Sequence, residues 1–170
     1  MLQRAERSDV VASDHESHTP NCVTCRVAHL CLPAGTDEQD AALVAPLVST
    51  RRRIARGDHL YRVGDRFDNL FAVWRGQLKT TQMTSQGRPH VGAFVMTGEI
   101  LGLDGIANQR HEVDVVALED SEVCVIPYDR IASQHDVPAD VRRRVLKLLS
   151  REIVRRQHDI LALGQLPADA

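Results

Sequence analysis

The placement of glycine constrains this 170-residue chain more than any other feature. Eight of its ten glycines fall between Gly57 and Gly105, where they separate short runs of alternating polarity. Such runs include Leu70-Phe71-Ala72-Val73-Trp74, Val91-Gly92-Ala93-Phe94-Val95, Val113-Asp114-Val115-Val116 and Val123-Cys124-Val125-Ile126. Side chains that alternate with period two, cut by turn formers every ten or so residues, describe antiparallel strands folding back on one another. No helical pattern lies between these runs, which argues against a parallel α/β sheet. The expected fold is mainly β with flanking helices: an antiparallel roll or barrel of one domain's size. With 43% hydrophobic residues, the chain has the means to fill such a core.

The flanks read differently. Residues 1–20 are polar and mixed in charge, with only Val10-Val11-Ala12 apolar, and are expected to form a flexible arm. That stretch lacks a basic-then-apolar leader, and no apolar run approaches the roughly 18 residues of a membrane span. A cytoplasmic protein is the expectation, and there cysteines bind metals or respond to redox more often than they form disulfides. The cysteine loop occupies 21–36, with Pro33 and Gly35 as helix breakers. Asp37 to Val48 is expected to be helical, capped by Thr36, with Leu43 and Leu47 on one face. The β-domain as a whole spans 37–137.

Pro138 opens a run that continues without another Pro or Gly to Gly164, and a long helix is expected over 138–164. Leu149, Ile153, Arg156, Ile160 and Leu163 recur along it at spacings of 4, 3, 4 and 3. That is a dimerisation seam with one charged position, or else the face of a helix packed on its own β-domain. The basic residues Arg142-Arg143-Arg144 and Lys147 read as a solvated face, and Arg51-Arg52-Arg53 as a soluble edge before the first strand. A net charge of −2 excludes a uniformly basic nucleic-acid coat.

The sharpest chemical signal is Cys22-x2-Cys25-x5-Cys31, with Cys124 remote from it. Two cysteines three apart can turn both sulfurs toward one centre. A tetrahedral zinc usually takes two close pairs, and no second pair exists here, although His29 could substitute. Three close thiolates and one distant thiolate suit an iron–sulfur cluster. Spacing alone leaves Cys124 open, since a cysteine in an apolar strand also serves as a small core residue.

The segments Gly57-Asp58-His59-Leu60-Tyr61-Arg62-Val63-Gly64-Asp65 and Leu70-Phe71-Ala72-Val73-Trp74-Arg75-Gly76-Gln77-Leu78-Lys79 resemble the β-roll of the cyclic-AMP receptor superfamily. Gly98-Glu99-Ile100-Leu101-Gly102 and Ile126-Pro127 continue the match. Together with the cysteine spacing, they resemble the sensory half of the fumarate-and-nitrate-reductase regulator branch. The resemblance implies a double-stranded β-helix (jelly roll) followed by a dimerisation helix. It also implies a [4Fe-4S] cluster on Cys22, Cys25, Cys31 and Cys124, with zinc as the alternative cofactor. In that branch oxygen converts the cluster to [2Fe-2S], the homodimer dissociates and promoter binding is lost. An acidic residue is familiar near the place of Arg156, so a basic one is a departure. It opposes pairing by like charge, reaches Asp159 or Glu152 of a second copy, or snorkels to solvent beside the seam.

Members of the branch continue into a helix-turn-helix that reads promoter DNA and works with RNA polymerase. Residues 165–170 are expected to begin the linker to such a domain, itself absent from this chain. Cyclic-nucleotide binding fits poorly, because Arg110 is followed by His111 and Glu112, and an acid there repels phosphate. Glu99 could hold a ribose hydroxyl or cap a loop. An enzyme finds no support: there is no P-loop, dinucleotide fingerprint or nucleophile elbow, and His59, His90 and His111 are the only strand histidines a cupin-like metal site could use. A zinc-stabilised binding module is the remaining rival to a redox-responsive regulator.

Overall fold

The computed structural model describes residues 20–31, 38–84 and 86–132, together with Ala139, Arg142, Arg143, Leu146, Lys147, Ser150, Ile153, Val154, Gln157 and His158. Eight strands are present: β1 (Thr50–Ile54), β2 (His59–Tyr61), β3 (Asn69–Arg75), β4 (Gln77–Met83), β5 (Pro89–Met96), β6 (Ile100–Leu101), β7 (Asp114–Ala117) and β8 (Ser121–Pro127). They form two four-stranded sheets, in the orders β1-β8-β3-β6 and β2-β7-β4-β5, with every pairing antiparallel. The chain changes sheet at every step except the β4–β5 hairpin. That alternation is the jelly roll expected from the glycine-punctuated runs.

Alternation along each strand sends one set of side chains between the sheets. Val73, Leu78, Val95, Val115 and Val123 are wholly buried there, surrounded by Ile54, Leu60, Tyr61, Phe71, Leu101 and Ala117. Gly76 makes the tight β3–β4 connection at φ 98°, and a Cβ at that position would overlap Ser121. Only glycine satisfies both demands.

A second, smaller core lies on the outer face of the first sheet. Ala41, Val44 and Leu47 pack there with Cys22, Ala28, Ile126 and Ile131. The helix expected over 37–48 is shorter than its pattern suggested: α2 runs Glu38–Val44 and gives way to a 3-10 turn, Ala45–Leu47, with Pro46 near its start. Proline removes a backbone donor and disfavours helical geometry in the residue before it, which accounts for the break. Two further short helices appear, α1 (Ala28–Cys31) in the cysteine loop and α3 (Tyr128–Ala132) after β8.

The long carboxy-terminal helix is not seen as one element. No helix among the described residues exceeds the seven residues of α2, although the ten residues described between Ala139 and His158 are themselves helical. Leu149, Arg156, Ile160 and Leu163 lie outside the described residues, as do the arm, the helix breakers Pro33 and Gly35, the cap Thr36, and 165–170. The Arg51-Arg52-Arg53 run also needs correction: it does not precede the first strand but forms its centre, in β1.

Leu78 fixes the centre of the inter-sheet core and is 0% exposed. Leu78→Ala is expected to cost about 2–5 kcal/mol of unfolding free energy. The measurement is urea unfolding, with a lower midpoint at unchanged slope.

Candidate metal centre

The cysteine loop is built from successive tight turns. Asn21 Oδ1 accepts from the Val23 backbone N–H at 3.0 Å, and the Cys25 N–H reaches the Cys22 carbonyl at 3.4 Å. The Ala28 N–H then donates to the Cys25 carbonyl at 3.1 Å, and the Cys31 N–H to the Val27 carbonyl at 3.2 Å. The first turn sets Cys22 and Cys25 three residues apart, and α1 brings Cys31 back toward them. Leu30, beside Cys31, lies against the β5–β6 turn at Gly98. There φ is 91° and an added Cβ would overlap the Leu30 side chain, so glycine allows the loop to approach the roll closely.

The fourth cysteine comes from the middle of the first sheet. Cys124 on β8 is paired with Arg51 of β1 on one side and with Ala72 of β3 on the other. Val123, its neighbour, is 0% exposed in the inter-sheet core, so Cys124 points to the opposite face, the one the cysteine loop covers. All four cysteines are free thiols and partly buried.

The four thiols influence one another electrostatically. Burial pushes the Cys22 thiol up to about 11, and negative charge on Cys124 and Cys25 pushes the same way. Burial likewise raises Cys31 to about 12, with Cys124, Cys25 and Cys22 adding to it. Cys124 is raised by burial too, against a hydrogen bond and positive charge from Arg51. Arg51 lowers Cys22 and Cys31 as well. Its guanidinium carbon stands 4.1 Å from the centroid of the Trp74 ring. Its strand neighbour of the same parity, Arg53, is instead occupied by Glu122 at 3.1 Å.

Sequence reasoning missed Arg51 because it treated three consecutive arginines as one solvated edge. The available signal was strand alternation, which gives neighbours in β1 different faces. The thiols are gathered but not closed on a single ion: among the described residues, no group of three or more His, Cys, Asp or Glu stands close enough to hold a metal ion. His29 is exposed.

The interior of the roll offers a second concavity, of about 460 Å³, lined by Tyr61, Thr80, Asp104, Val113, Ile153 and Gln157 among others. Two of its polar lining residues, Tyr61 and Asp104, are engaged with each other and with residues beside the cavity. Tyr61 Oη donates to Asp104 Oδ1 at 3.1 Å, and Asp104 Oδ2 accepts the Glu112 N–H at 2.9 Å and lies 3.4 Å from His111 Nδ1. The buried His111 ring stacks on Tyr61 with centroids 3.6 Å apart. Arg110 donates to the Gly64 carbonyl at 2.8 Å. Glu99 accepts the Met96 N–H at 3.0 Å, closing its own turn. An acidic wall and an arginine engaged with backbone make a poor seat for a cyclic phosphate. Of the expected seam, only Ile153 is described; it borders this cavity and remains 59% exposed.

The two packed antiparallel sheets form a double-sheet jelly roll, and the comparisons agree with that architecture. The cyclic nucleotide-binding domain model matches residues 51–136, half of the chain. This chain belongs to the cyclic nucleotide-binding domain family. It is 36% identical over 152 residues to the transcriptional regulatory protein btr of Bordetella pertussis, covering 88% of this chain and 62% of that one. It is 30% identical over 149 residues to the fumarate and nitrate reduction regulatory protein of Vibrio cholerae, covering 88% of this chain and 60% of that one. The similarity to this branch of regulators, read from residues 57–127 and the cysteine spacing, is therefore borne out. In both cases the chain spans about three-fifths of the relative's length. The fold matches a cyclic nucleotide-binding domain from Methylobacillus flagellatus with a TM-score of 0.65 at 17% identity, covering 87% of this chain and 86% of that one.

Two outcomes follow from the loop and its thiols. An ordinary cysteine here titrates near 9.0, whereas Cys22 and Cys31 in the folded chain do so near 11 and 12. The unfolded chain thus loses these protons first, so the native state binds more protons above pH 9 and stability falls as pH rises. Urea unfolding of the metal-free chain is expected to be insensitive to these thiols below pH 9. Between pH 9 and 12 the chain should lose stability that a Cys22→Ser/Cys31→Ser variant retains. Gly98→Ala, which forces a left-handed residue against Leu30, should cost about 1–3 kcal/mol. Limited proteolysis of that variant should cut first within 22–31.

Proposed function

We propose that this chain is the sensory part of an oxygen- or redox-responsive transcription regulator in which Cys22, Cys25, Cys31 and Cys124 hold a [4Fe-4S] cluster. One observation carries the reading: Cys124, delivered by the central strand β8, lies within electrostatic reach of the three cysteines of the amino-terminal loop. Three thiols near in sequence plus one from a distant strand make the donor set of such a cluster. The spacing favours it over zinc. A tetrahedral zinc usually takes two close pairs of ligands, and the sequence offers one close pair, a third nearby cysteine and one remote cysteine. A cluster spreads its four thiolates over four irons. When bound, it supplies a redox-active, oxygen-labile anion that ties the loop to the sheet.

The protein's own residues give this tie a route outward. Cys22 and Ala28 share the small core with Ala41, Val44 and Leu47 of the segment from α2 onward, and with Ile126 of β8 and Ile131 of α3. Holding residues 22–31 in place therefore steadies α3, which precedes the carboxy-terminal helical residues in the chain. Leu146, Ile153 and Val154 among these are 65%, 59% and 47% exposed, apolar surface suited to a second copy of the chain. Leu149, Arg156, Ile160 and Leu163 belong to the same proposed homodimer seam, with Arg156 opposing pairing through like charge. Promoter DNA and RNA polymerase are the partners of the whole regulator, engaged through a helix-turn-helix. The named curated relatives carry the names of regulators.

The test is anaerobic reconstitution with iron and sulfide. About four of each per chain are expected, with broad visible absorption that bleaches in air. Cys124→Ser should abolish the colour while leaving the β-roll folded. Sedimentation should show a dimer under nitrogen that dissociates as the colour is lost, and Arg156→Leu should hold more dimer in air. A colourless protein carrying one zinc would falsify the reading.

A further inference from the structure

Two buried side-chain donors have no hydrogen-bond acceptor among the described residues, and they are Arg51 Nε and Trp74 Nε1. They belong to one stacked pair, with the guanidinium carbon 4.1 Å from the indole centroid. A buried N–H without an acceptor is costly, and two such groups side by side are unusual in a folded domain. Their position gives the reason. Arg51 is the cross-strand partner of Cys124, and Trp74 lies two positions along β3 from Ala72, the other partner of Cys124. The guanidinium lowers the Cys124 thiol against the effect of its burial. The other arginines of β1 take no comparable role: Arg52 is exposed, and Arg53 is held by Glu122.

We propose that Arg51, clamped by the face of Trp74, is a positioning residue that donates N–H bonds to anionic sulfur at the Cys22–Cys25–Cys31–Cys124 centre. In doing so it sets the reduction potential of that centre and its lifetime in air. The proposal rests on the cluster reading above. Its physical basis is general: donors and positive charge next to cluster sulfur favour the more reduced, more negative state. Four thiolates gathered in a partly buried site need a counter-charge, and Arg51 acts on Cys22, Cys31 and Cys124 alike. Cation–π stacking fixes the planar fork without consuming its donors. A lysine would keep the charge and lose the fork.

The experiment uses the full chain reconstituted anaerobically with iron and sulfide, as wild type, Arg51→Met, Arg51→Lys and Trp74→Leu. Iron and sulfide content, midpoint potential and the rate of visible bleaching at fixed oxygen are read for each. Arg51→Met is expected to have a more negative midpoint and to bleach about tenfold faster. Arg51→Lys should fall between it and wild type. Trp74→Leu, which keeps the charge but frees the side chain, should move the same way by less. An Arg51→Met protein with wild-type potential and lifetime overturns the proposal and leaves the cluster reading standing. Should Arg51→Met fail to load, wild-type values in both Arg51→Lys and Trp74→Leu overturn it equally. A wild-type chain that takes up no iron and sulfide sinks both readings.

Discussion

Strand β8 is the element on which the remaining structure depends. It lies between β1 and β3 and serves two environments through the period of two in its side chains. Val123 is wholly buried between the sheets, while Cys124 faces the loop that carries the other three cysteines. A slip of one residue would exchange them, placing a thiol in the apolar core and a valine at the centre. The register is held from both sides, by Arg51 to Cys124 and Val123 to Val73. The packing of the core therefore also positions the fourth thiol. In this chain, fold stability and candidate chemistry are two faces of one strand.

The parts legible in the sequence were those with a strong local cause. Glycines between alternating runs announced the roll, because turns and strand periodicity are properties of a few adjacent residues. Gly76 and the wholly buried Val73, Val115 and Val123 behave as that pattern requires. Cys22, Cys25 and Cys31 declared themselves through their spacing. Cys124 did not, since a thiol in an apolar strand looks the same whether it faces a core or a centre. What distinguishes the two is the parity of its neighbours, and Val123 fixes that parity only once the sheet is assembled.

Other features lay beyond any local pattern. The three arginines of β1 look alike in sequence, but cross-strand partners separate them: Arg51 meets Cys124 and Trp74, and Arg53 meets Glu122. The helix beginning near 37 ends early because Pro46 acts within an otherwise continuous apolar pattern. Leu30 and Gly98 are far apart in the chain, and nothing near either residue announces their contact. At the carboxy end, the seam pattern allowed either pairing between copies or packing on the roll. Ile153 borders the roll's cavity and still exposes most of its surface, so it has contact to offer in both directions.

Several polar groups in and beside the roll's interior cavity are engaged with one another. The roll retains its interior concavity, but Asp104 dominates the polar wall and binds inward to Tyr61 and to the Glu112 N–H. Arg110, the residue best able to pair with a phosphate, spends its guanidinium on the Gly64 carbonyl. An anionic ligand entering there would face a carboxylate, and among the described residues that line the cavity there is no cation to offset it. On the outside of the roll an arginine with a buried, unpartnered donor stands beside Cys124, lowering that thiol against the larger effect of its burial. The small core joins Cys22 and Ala28 to Ile126 of β8 and Ile131 of α3 without involving the central core.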